Sequence, residues 1–226
     1  MVMGDLVLFQ DEVNRALSVA LENAIDVTAL HNHFFFDQPK VYFMHISGEG
    51  KLDALALGVK RTLQAARIVR ARVAVPQASF GGRFVAGHSA INGVQIEKIL
   101  AVQGQAKDGM FKVVIGRQTT AACGCTVGKD MGVNTWAAFA GNDDNPVVDG
   151  DFAVLEDELQ GVLKELRAAN INVVAIHNHT VAEHPRFIFL HYWAKGRVAE
   201  LAAGLKRALD LTSPSNGMQR QCSEHG

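Results

Sequence analysis

The sequence has no excess of charge of either sign, because 22 lysines and arginines are balanced by 23 aspartates and glutamates. Nucleic-acid-binding proteins usually need a basic surface for phosphates, so this balance argues against that class. Three cysteines in 226 residues are too few for a disulfide framework. The apolar runs are interrupted by charges well short of the about 20 residues that a membrane-spanning helix needs, so we expect no transmembrane segment.

The first residues, MVMGDLVLFQDEV, also lack the features of a secretory signal. No basic segment precedes the apolar stretch, and the stretch is interrupted by Asp5, Asp11 and Glu12. Taken as written, the sequence predicts a cytoplasmic protein. A hydrophobic fraction of 48% with 20% charged residues is typical of a soluble globular chain, and this length fits one large domain or two small ones.

What the sequence does contain is a histidine pattern that occurs twice. His31-Asn32-His33 is followed by Pro39 and His45, and the same residue types recur 146 positions later. The second set is His177-Asn178-His179, Pro185 and His191. The correspondence runs without a gap from residues 4–63 to residues 150–209, so the chain contains two copies of one unit.

Each copy has the same predicted order of elements, β-α-β-β-α, from its hydrophobic periodicity and turn residues. In the first copy the elements are residues 2–8, 10–23, 25–36, 40–47 and 51–65. In the second copy they are a strand at 147–154, a helix at 156–169, a hairpin at 171–193 and a helix at 197–210. Upstream of the second copy we predict a helix at 95–102 and strands at Met110–Gly116 and Asn134–Ala140.

These elements predict an α+β fold of two units related by pseudo-two-fold symmetry, with mixed sheets and the helices packed on one face. The first unit is 1–66, a linker is 67–90, the second unit is 91–210 and a disordered tail is 211–226. The first unit has no counterpart of the upstream strands, as in a fragment or a chain translated from an internal Met. Its sheet edge would then be open, and homo-oligomerisation through that edge is one expectation.

The repeated histidines are placed to share a surface. Residues i and i+2 of a strand point to the same face, so His31 and His33 point the same way. If the hairpin is centred on Pro39, His33 lies directly opposite His45, with Cβ atoms about 4.5–5.5 Å apart. With the second hairpin centred on Pro185, the corresponding residues are His177, His179 and His191. Three converging imidazoles with an open fourth position are the arrangement of a catalytic zinc site and also suit Cu, Fe or Ni.

The alternative is that each cluster is a set of hydrogen-bonded core histidines left by gene duplication. By simple alternation, the face that carries the first cluster is otherwise apolar, with Val27, Ala29, Phe35, Val41 and Phe43. Burying three imidazoles there is costly unless each finds a partner, and a metal ion would satisfy all three at once.

Two further pairs of residues are candidates for chemistry. Asp5 and Asp151 recur in apolar strands, where a carboxylate needs a partner. Each could act as a general base, could orient a ligand histidine, or could simply accept a hydrogen bond from a nearby backbone N–H. Cys123 and Cys125 could bind a soft metal, or could belong to a loop of small residues, TTAACGCT.

Four segments carry a resemblance to a known family: VTALHNHFFFDQPKVYFMHI, GVNTWAAFAGNDD, VVDGDFAVLEDELQGVLKELRAANINVVAIHNH and PRFIFLHYW. They resemble the bacterial LppY/LpqO family of unknown function (DUF1259), over nearly the whole chain except residues 67–90 and the tail. The resemblance implies two related halves and a periplasmic or cell-surface location, against the cytoplasmic prediction. Relatives often have a His-Gly-His-like sequence where this chain has Cys123-Gly124-Cys125, which favours metal binding there. The family implies no activity.

The sequence therefore predicts a protein that binds a transition metal, Zn before Cu or Fe, through a three-histidine cluster in each repeat. A metal-dependent hydrolase with Asp5 or Asp151 as a catalytic helper is one hypothesis. A non-catalytic metal-handling protein is the second, and a structural or ligand-binding module with core histidines is the third. The expected partner is a small molecule or a metal ion.

Overall fold

The computed structural model describes residues 1–33, 37–77 and 88–213, which form one α+β fold. The strands are β1 (Val2–Phe9), β2 (Asp26–His31), β3 (Val41–Gly48), β4 (Gly104–Lys107), β5 (Met110–Gly116), β6 (Thr119–Thr120), β7 (Thr126–Val127), β8 (Asn134–Ala140), β9 (Val147–Leu155), β10 (Asn172–His177) and β11 (Phe187–Lys195). The helices are α1 (Gln10–Glu22), α2 (Leu52–Arg72), α3 (Gly93–Leu100), α4 (Leu159–Ala168) and α5 (Val198–Leu209), with a short 3-10 helix at Lys129–Met131.

Nine of the strands form one sheet in the order β1-β3-β2-β10-β11-β9-β8-β5-β4. Every neighbouring pair in it is antiparallel. The prediction of mixed sheets was therefore wrong. The strands on either side of α1, β1 and β2, run parallel to each other, but β3 lies between them and pairs antiparallel with both.

The two predicted copies meet in the middle of this sheet. β2 pairs with β10 through Leu30 and Ile176, two residues that are 146 positions apart in the chain. The pairing of β2 with β3 has an irregularity between Val27 and Ala29, and that of β10 with β11 has one between Val173 and Ala175. The two hairpins thus share both their register and their bulge.

The helices form a row in which neighbours pack in the order α2-α1-α4-α5-α3. They cover the main hydrophobic core, to which the central strands contribute fully buried residues such as Leu30, Met44 and Ile176. Because side chains alternate along a strand, His31 and His177 point to the opposite face. Val27 belongs to the core on the helix side, since the bulge shifts the alternation; placing it on the histidine face was wrong. That face is partly exposed.

Most predicted elements are confirmed within two or three residues, including both upstream strands. β2 is an exception, because it ends at His31 rather than residue 36, and residues 34–36 lie outside the described ones. α2 continues to Arg72, into the predicted linker, where Arg70 donates to the carboxylates of Asp11 and Glu12. Most of the predicted tail, residues 214–226, also lies outside the described chain.

Among the described residues, no helix is long and apolar enough to cross a membrane.

Within the described chain, a small second core covers the histidine face of the second copy. The segment between β5 and β8, which we call the covering segment, includes the β6–β7 hairpin. It places Val127 and Val133 against Phe187 and Phe189. Arg117, which begins this segment, is buried and donates to the carboxylate of Glu158 and to the carbonyl of Ala153. This ion pair fastens the covering segment to the junction of β9 and α4.

Gly150 in β9 lies where the sheet leaves no room for a side chain. A Cβ there would be 2.1 Å from the Tyr192 hydroxyl oxygen, which donates to the carbonyl of Trp136. Gly4, its counterpart 146 positions earlier, has open space. We expect Gly150→Ala to lower the free energy of unfolding by about 1–3 kcal/mol, as overpacking does. Gly4→Ala should stay within about 0.5 kcal/mol; equal effects in urea unfolding would contradict this account.

Candidate metal centre

The candidate site is on the histidine face of the second copy, where strand pairing sets the positions of its residues. His191 in β11 is the register partner of Asp151 in β9 on one side and of Ala175 in β10 on the other. His177 is the partner of Phe189. A carboxylate and two imidazoles therefore project from three adjacent strands on one surface.

The ligand atoms that converge on this surface come from two of these residues, Asp151 and His177, and from His179. One atom each of Asp151, His177 and His179 lies within 4.8 Å of the other two. The Nε2 atoms of His177 and His179 are 3.1 Å apart, and Nε2 of His179 is 3.9 Å from Oδ2 of Asp151. Two imidazole nitrogens and a carboxylate oxygen are donors that Zn²⁺ and other transition-metal dications accept.

Two atoms of this group are buried without a hydrogen-bond partner in the described part of the protein, Oδ1 of Asp151 and Nδ1 of His177. Native proteins satisfy nearly all of their buried polar atoms, because leaving one unpaired costs about 1–3 kcal/mol and more for a charged group. An orphaned carboxylate oxygen beside an imidazole is thus a cost of the metal-free site that a bound cation would remove.

The electrostatics of the group favour a cation. Burial raises the pKa of Asp151 to about 6, although the nearby His191 opposes this shift. Burial lowers the pKa of His177 and of His179, and neighbouring histidines lower both further. At neutral pH the group is mainly one carboxylate with two neutral imidazoles, the protonation state in which all three bind metals.

His179 lies beyond the end of β10, and its position depends on an aromatic contact. Its ring stacks on Phe189 with centroids 3.5 Å apart and planes 11° apart. Phe189 is in turn buried in the small second core with Val127 and Val133. The covering segment therefore supports the ring that completes the group.

Residues 1–65 and 94–211 match the protein family described as Domain of Unknown Function (DUF1259). The chain belongs to this family. The residues left unmatched before the second block, 66–93, contain the predicted linker. No curated protein matches the chain, and no solved structure does.

The structure of this DUF1259 chain corrects the predicted geometry of the histidines. His45 pairs with Ala29 rather than His33, and His31 pairs with Phe43. The first hairpin is therefore centred on Asp37, two residues before Pro39. The Asp37 carboxylate accepts from the backbone N–H of Val41 at the start of β3. The second hairpin is displaced from Pro185 in the same way, with His177 opposite Phe189 and His191 opposite Ala175.

This register explains why the converging group is Asp/His/His instead of three histidines. The ring centroids of His177 and His191 are 4.9 Å apart and the planes are near parallel, so the rings stack. Asp151, predicted as a catalytic helper, takes the third place among the ligand atoms.

The equivalent residues of the first copy are arranged differently. Nδ1 of His45 is 2.9 Å from Oδ1 of Asp5, and Nε2 of His45 is 2.8 Å from Nε2 of His31. His33 stacks on Phe43 with ring centroids 3.6 Å apart. Over the described residues of this copy, no three ligand atoms meet as they do in the second copy.

The two copies differ because their surroundings differ. Asp151 is in a strand paired on both sides, with Trp136 of β8 as its partner across the ladder, and its side chain is 5% exposed. Asp5 is in β1, the edge strand of the sheet, and its side chain is 57% exposed. The first cluster thus has the same residue types with much more access to solvent.

Cys123 and Cys125 are free and exposed in the loop between β6 and β7. They do not belong to the Asp/His/His group.

Sequence reasoning missed the role of Phe189 as the support for His179. The signal was present, because Phe43 occupies the same place in the first copy.

Proposed function

We propose that this DUF1259 protein binds a transition-metal dication tightly, Zn²⁺ first, through Asp151, His177 and His179. The observation that carries the proposal is the convergence of these three ligand atoms around a buried carboxylate with an unpartnered oxygen. Neutral imidazoles and a carboxylate complete the donor set without further proton loss at neutral pH.

The donor set fits a site with room for a further ligand. Three protein ligands from His and Asp leave at least one coordination position, which is typical of catalytic rather than structural zinc sites. His179 is 37% exposed, so the group can be reached from solvent. An ion held in this way supplies Lewis-acid chemistry of the kind used in hydrolysis. We therefore propose hydrolysis of a small-molecule ester, amide or phosphoester as the activity to test.

We further infer that the first copy holds a second, weaker metal site at Asp5, His31, His33 and His45. The central pairing of Leu30 with Ile176 and the matching bulges support a pseudo-two-fold relation between the copies. The first cluster would have to break the contacts of His45 with Asp5 and His31 to bind an ion. Those contacts favour a hydrogen-bonded structural role for the first cluster when metal is scarce.

The test is a calorimetric titration of chelator-stripped protein with Zn²⁺, together with metal analysis of the protein as purified. Wild type should bind about one equivalent tightly and a second only weakly. We expect His179→Ala to weaken the tight step more than about 100-fold, beyond the loss typical of residues that only support a ligand. His184→Ala is the matched control, because His184 is exposed in the same loop and outside the group.

Three outcomes would count against the proposal. Wild type that holds no metal as purified and takes up no Zn²⁺, Cu²⁺ or Fe²⁺ would make the histidines core residues. Equal losses in the His179 and His184 variants would show that the titration measures surface histidines. Tight binding that survives in His179→Ala and disappears in His31→Ala would place the main site in the first copy.

A further inference from the structure

The two exposed cysteines lie two positions apart in one closed hairpin turn. Thr119 and Thr120 pair with Val127 and Thr126 to form the β6–β7 ladder. Beyond it, the backbone N–H of Ala121 donates to the carbonyl of Cys125. Within this closed loop the N–H of Gly124 donates back to the carbonyl of Ala121.

Gly124 is the residue that allows this turn. Its φ is +80°, a conformation that L side chains rarely adopt, and a Cβ at this position would have no atom within 4 Å. The glycine is therefore required by the backbone and not by crowding. As a hydrogen-bond partner, the Cys125 thiol lowers the pKa of Cys123, and both residues remain exposed.

The hairpin is fixed to the loop that borders the candidate metal centre. Thr120 exchanges two backbone hydrogen bonds with His184, at 3.0 and 2.9 Å. The hydroxyl of Thr119 donates to the carbonyl of Pro185 at 2.7 Å. Below the turn, Ala121 and Val127 pack in the small second core with Phe189. These contacts hold the hairpin that carries Cys123 and Cys125 in a fixed position on the protein.

We propose that Cys123 and Cys125 form a second metal site that binds a soft monovalent ion, Cu(I), through their two sulfurs. Thiolates are the protein ligands that soft ions prefer, and two of them on one short turn supply a two-coordinate site. Binding converts both thiols to thiolates and releases two protons, with no change in the oxidation state of sulfur or copper. The Asp/His/His group offers nitrogen and oxygen donors instead, so the two sites take different ions.

The structure also favours metal binding over a disulfide at this position. A disulfide needs a Cβ–S–S–Cβ dihedral near 90°, and cysteines two residues apart reach it only with strain. Two thiols on the same open turn need no such closure to share an ion. The pair also remains accessible to a Cu(I) donor, since both residues are exposed.

The experiment is an anaerobic titration of the full chain with Cu(I), buffered by a chromophoric Cu(I) chelator in the presence of a thiol-free reductant. Wild type should remove about one equivalent of Cu(I) from the chelator. Cys123→Ser and Cys125→Ser should each lose that equivalent, because a single thiolate does not compete with the chelator. Cys222→Ser is the matched control, as it removes the remaining cysteine of the chain, and should leave the titration unchanged.

Binding that survives in both Cys123→Ser and Cys125→Ser, or that disappears in Cys222→Ser, would overturn the proposal. So would a reduced wild type that takes no Cu(I) from the chelator. Asp151→Asn should bind Cu(I) like wild type, and the cysteine variants should bind Zn²⁺ like wild type. The thiol site and the proposed zinc site can therefore fail separately.

Discussion

Asp151→Asn should stabilise the metal-free protein at neutral pH by about 3 kcal/mol and at the same time weaken Zn²⁺ binding by more than about 100-fold. The stabilising part follows from burial, which raises the pKa of Asp151 from 3.8 to about 6. A shift of that size corresponds to about 3 kcal/mol of folding free energy that ionisation removes. An amide keeps the shape of the side chain and does not ionise.

The pH dependence of this difference has a defined sign. Because the pKa of Asp151 is raised in the folded state, protonated Asp151 adds to the free energy of unfolding. This contribution is fully present below pH 3.8 and is lost as pH rises through about 6. The variant should therefore match wild type near pH 3.5 and exceed its stability above pH 6. The lowered pKa values of His177 and His179 act oppositely, removing stability as pH falls below 6.5. Both proteins share that term, so the difference isolates Asp151.

The measurement is urea unfolding of chelator-treated wild type and variant across this pH range, followed by Zn²⁺ titration at pH 7. Asp5→Asn is the matched control, because Asp5 is the counterpart on the exposed edge strand. It should change stability by less than about 0.5 kcal/mol. Loss of stability in Asp151→Asn at pH 7 would mean that the carboxylate is a structural acceptor, contrary to its unpartnered oxygen.

The two-copy pattern in the sequence anticipates much of this fold, because local signals specify each element. The 3.6-residue periodicity of Val13 and Leu17 predicts α1, and both residues are buried in it. The runs at Met110–Gly116 and Asn134–Ala140 become β5 and β8 with unchanged bounds. Such signals depend on each segment's own residues, which is why they survive into the structure.

The errors concern quantities that depend on distant partners. The alternation rule places Val27 with the histidines, but a bulge, formed only when β2 pairs with β3, turns it into the core. Centring the hairpin on Pro39 leaves out the Asp37 carboxylate, which accepts a hydrogen bond from the backbone N–H of Val41, the first residue of β3. The observed centre of the hairpin is Asp37, two residues before Pro39. A single slip of this kind changes which histidines can meet.

The candidate metal centre shows the same limit. The sequence identifies Asp151 as an odd residue in an apolar strand, but not that its strand is paired on both sides, with Trp136 of β8 as its partner. Asp5 has the same local sequence and remains exposed. The difference between a buried ligand group and an open cluster therefore comes from β8 and the residues before it.

Arg117→Met tests whether that covering segment is what organises the centre, and should lower the free energy of unfolding by about 3–5 kcal/mol, the cost of breaking a buried ion pair by removing one partner. Arg117 and Glu158 are 7% and 5% exposed, and the guanidinium also lies over the ring of Phe187. Burial raises the pKa of Glu158, but hydrogen bonds led by Arg117 outweigh it and hold this pKa below its usual value.

The first copy supplies the matched control. Arg70 makes the corresponding contact with Glu12, the counterpart of Glu158, but its side chain is 22% exposed. We expect Arg70→Met to cost only about 1 kcal/mol, as for pairs near the surface. Urea unfolding at pH 7 measures both. Equal costs would show that burial by the covering segment contributes nothing to the pair.

The double variant Arg117→Met, Glu158→Leu separates the charge from the attachment. Replacing both partners removes the uncompensated buried carboxylate, which usually recovers most of the loss. Recovery here should be incomplete, because Glu158 also accepts from the backbone N–H groups of Leu155 and Ser213. In Arg117→Met the covering segment, which buries Phe189, loses its anchor. Phe189 is then no longer held in place to stack on His179, so Zn²⁺ binding should weaken. Unchanged Zn²⁺ affinity in a folded Arg117→Met protein would show that the ligand group forms without the segment.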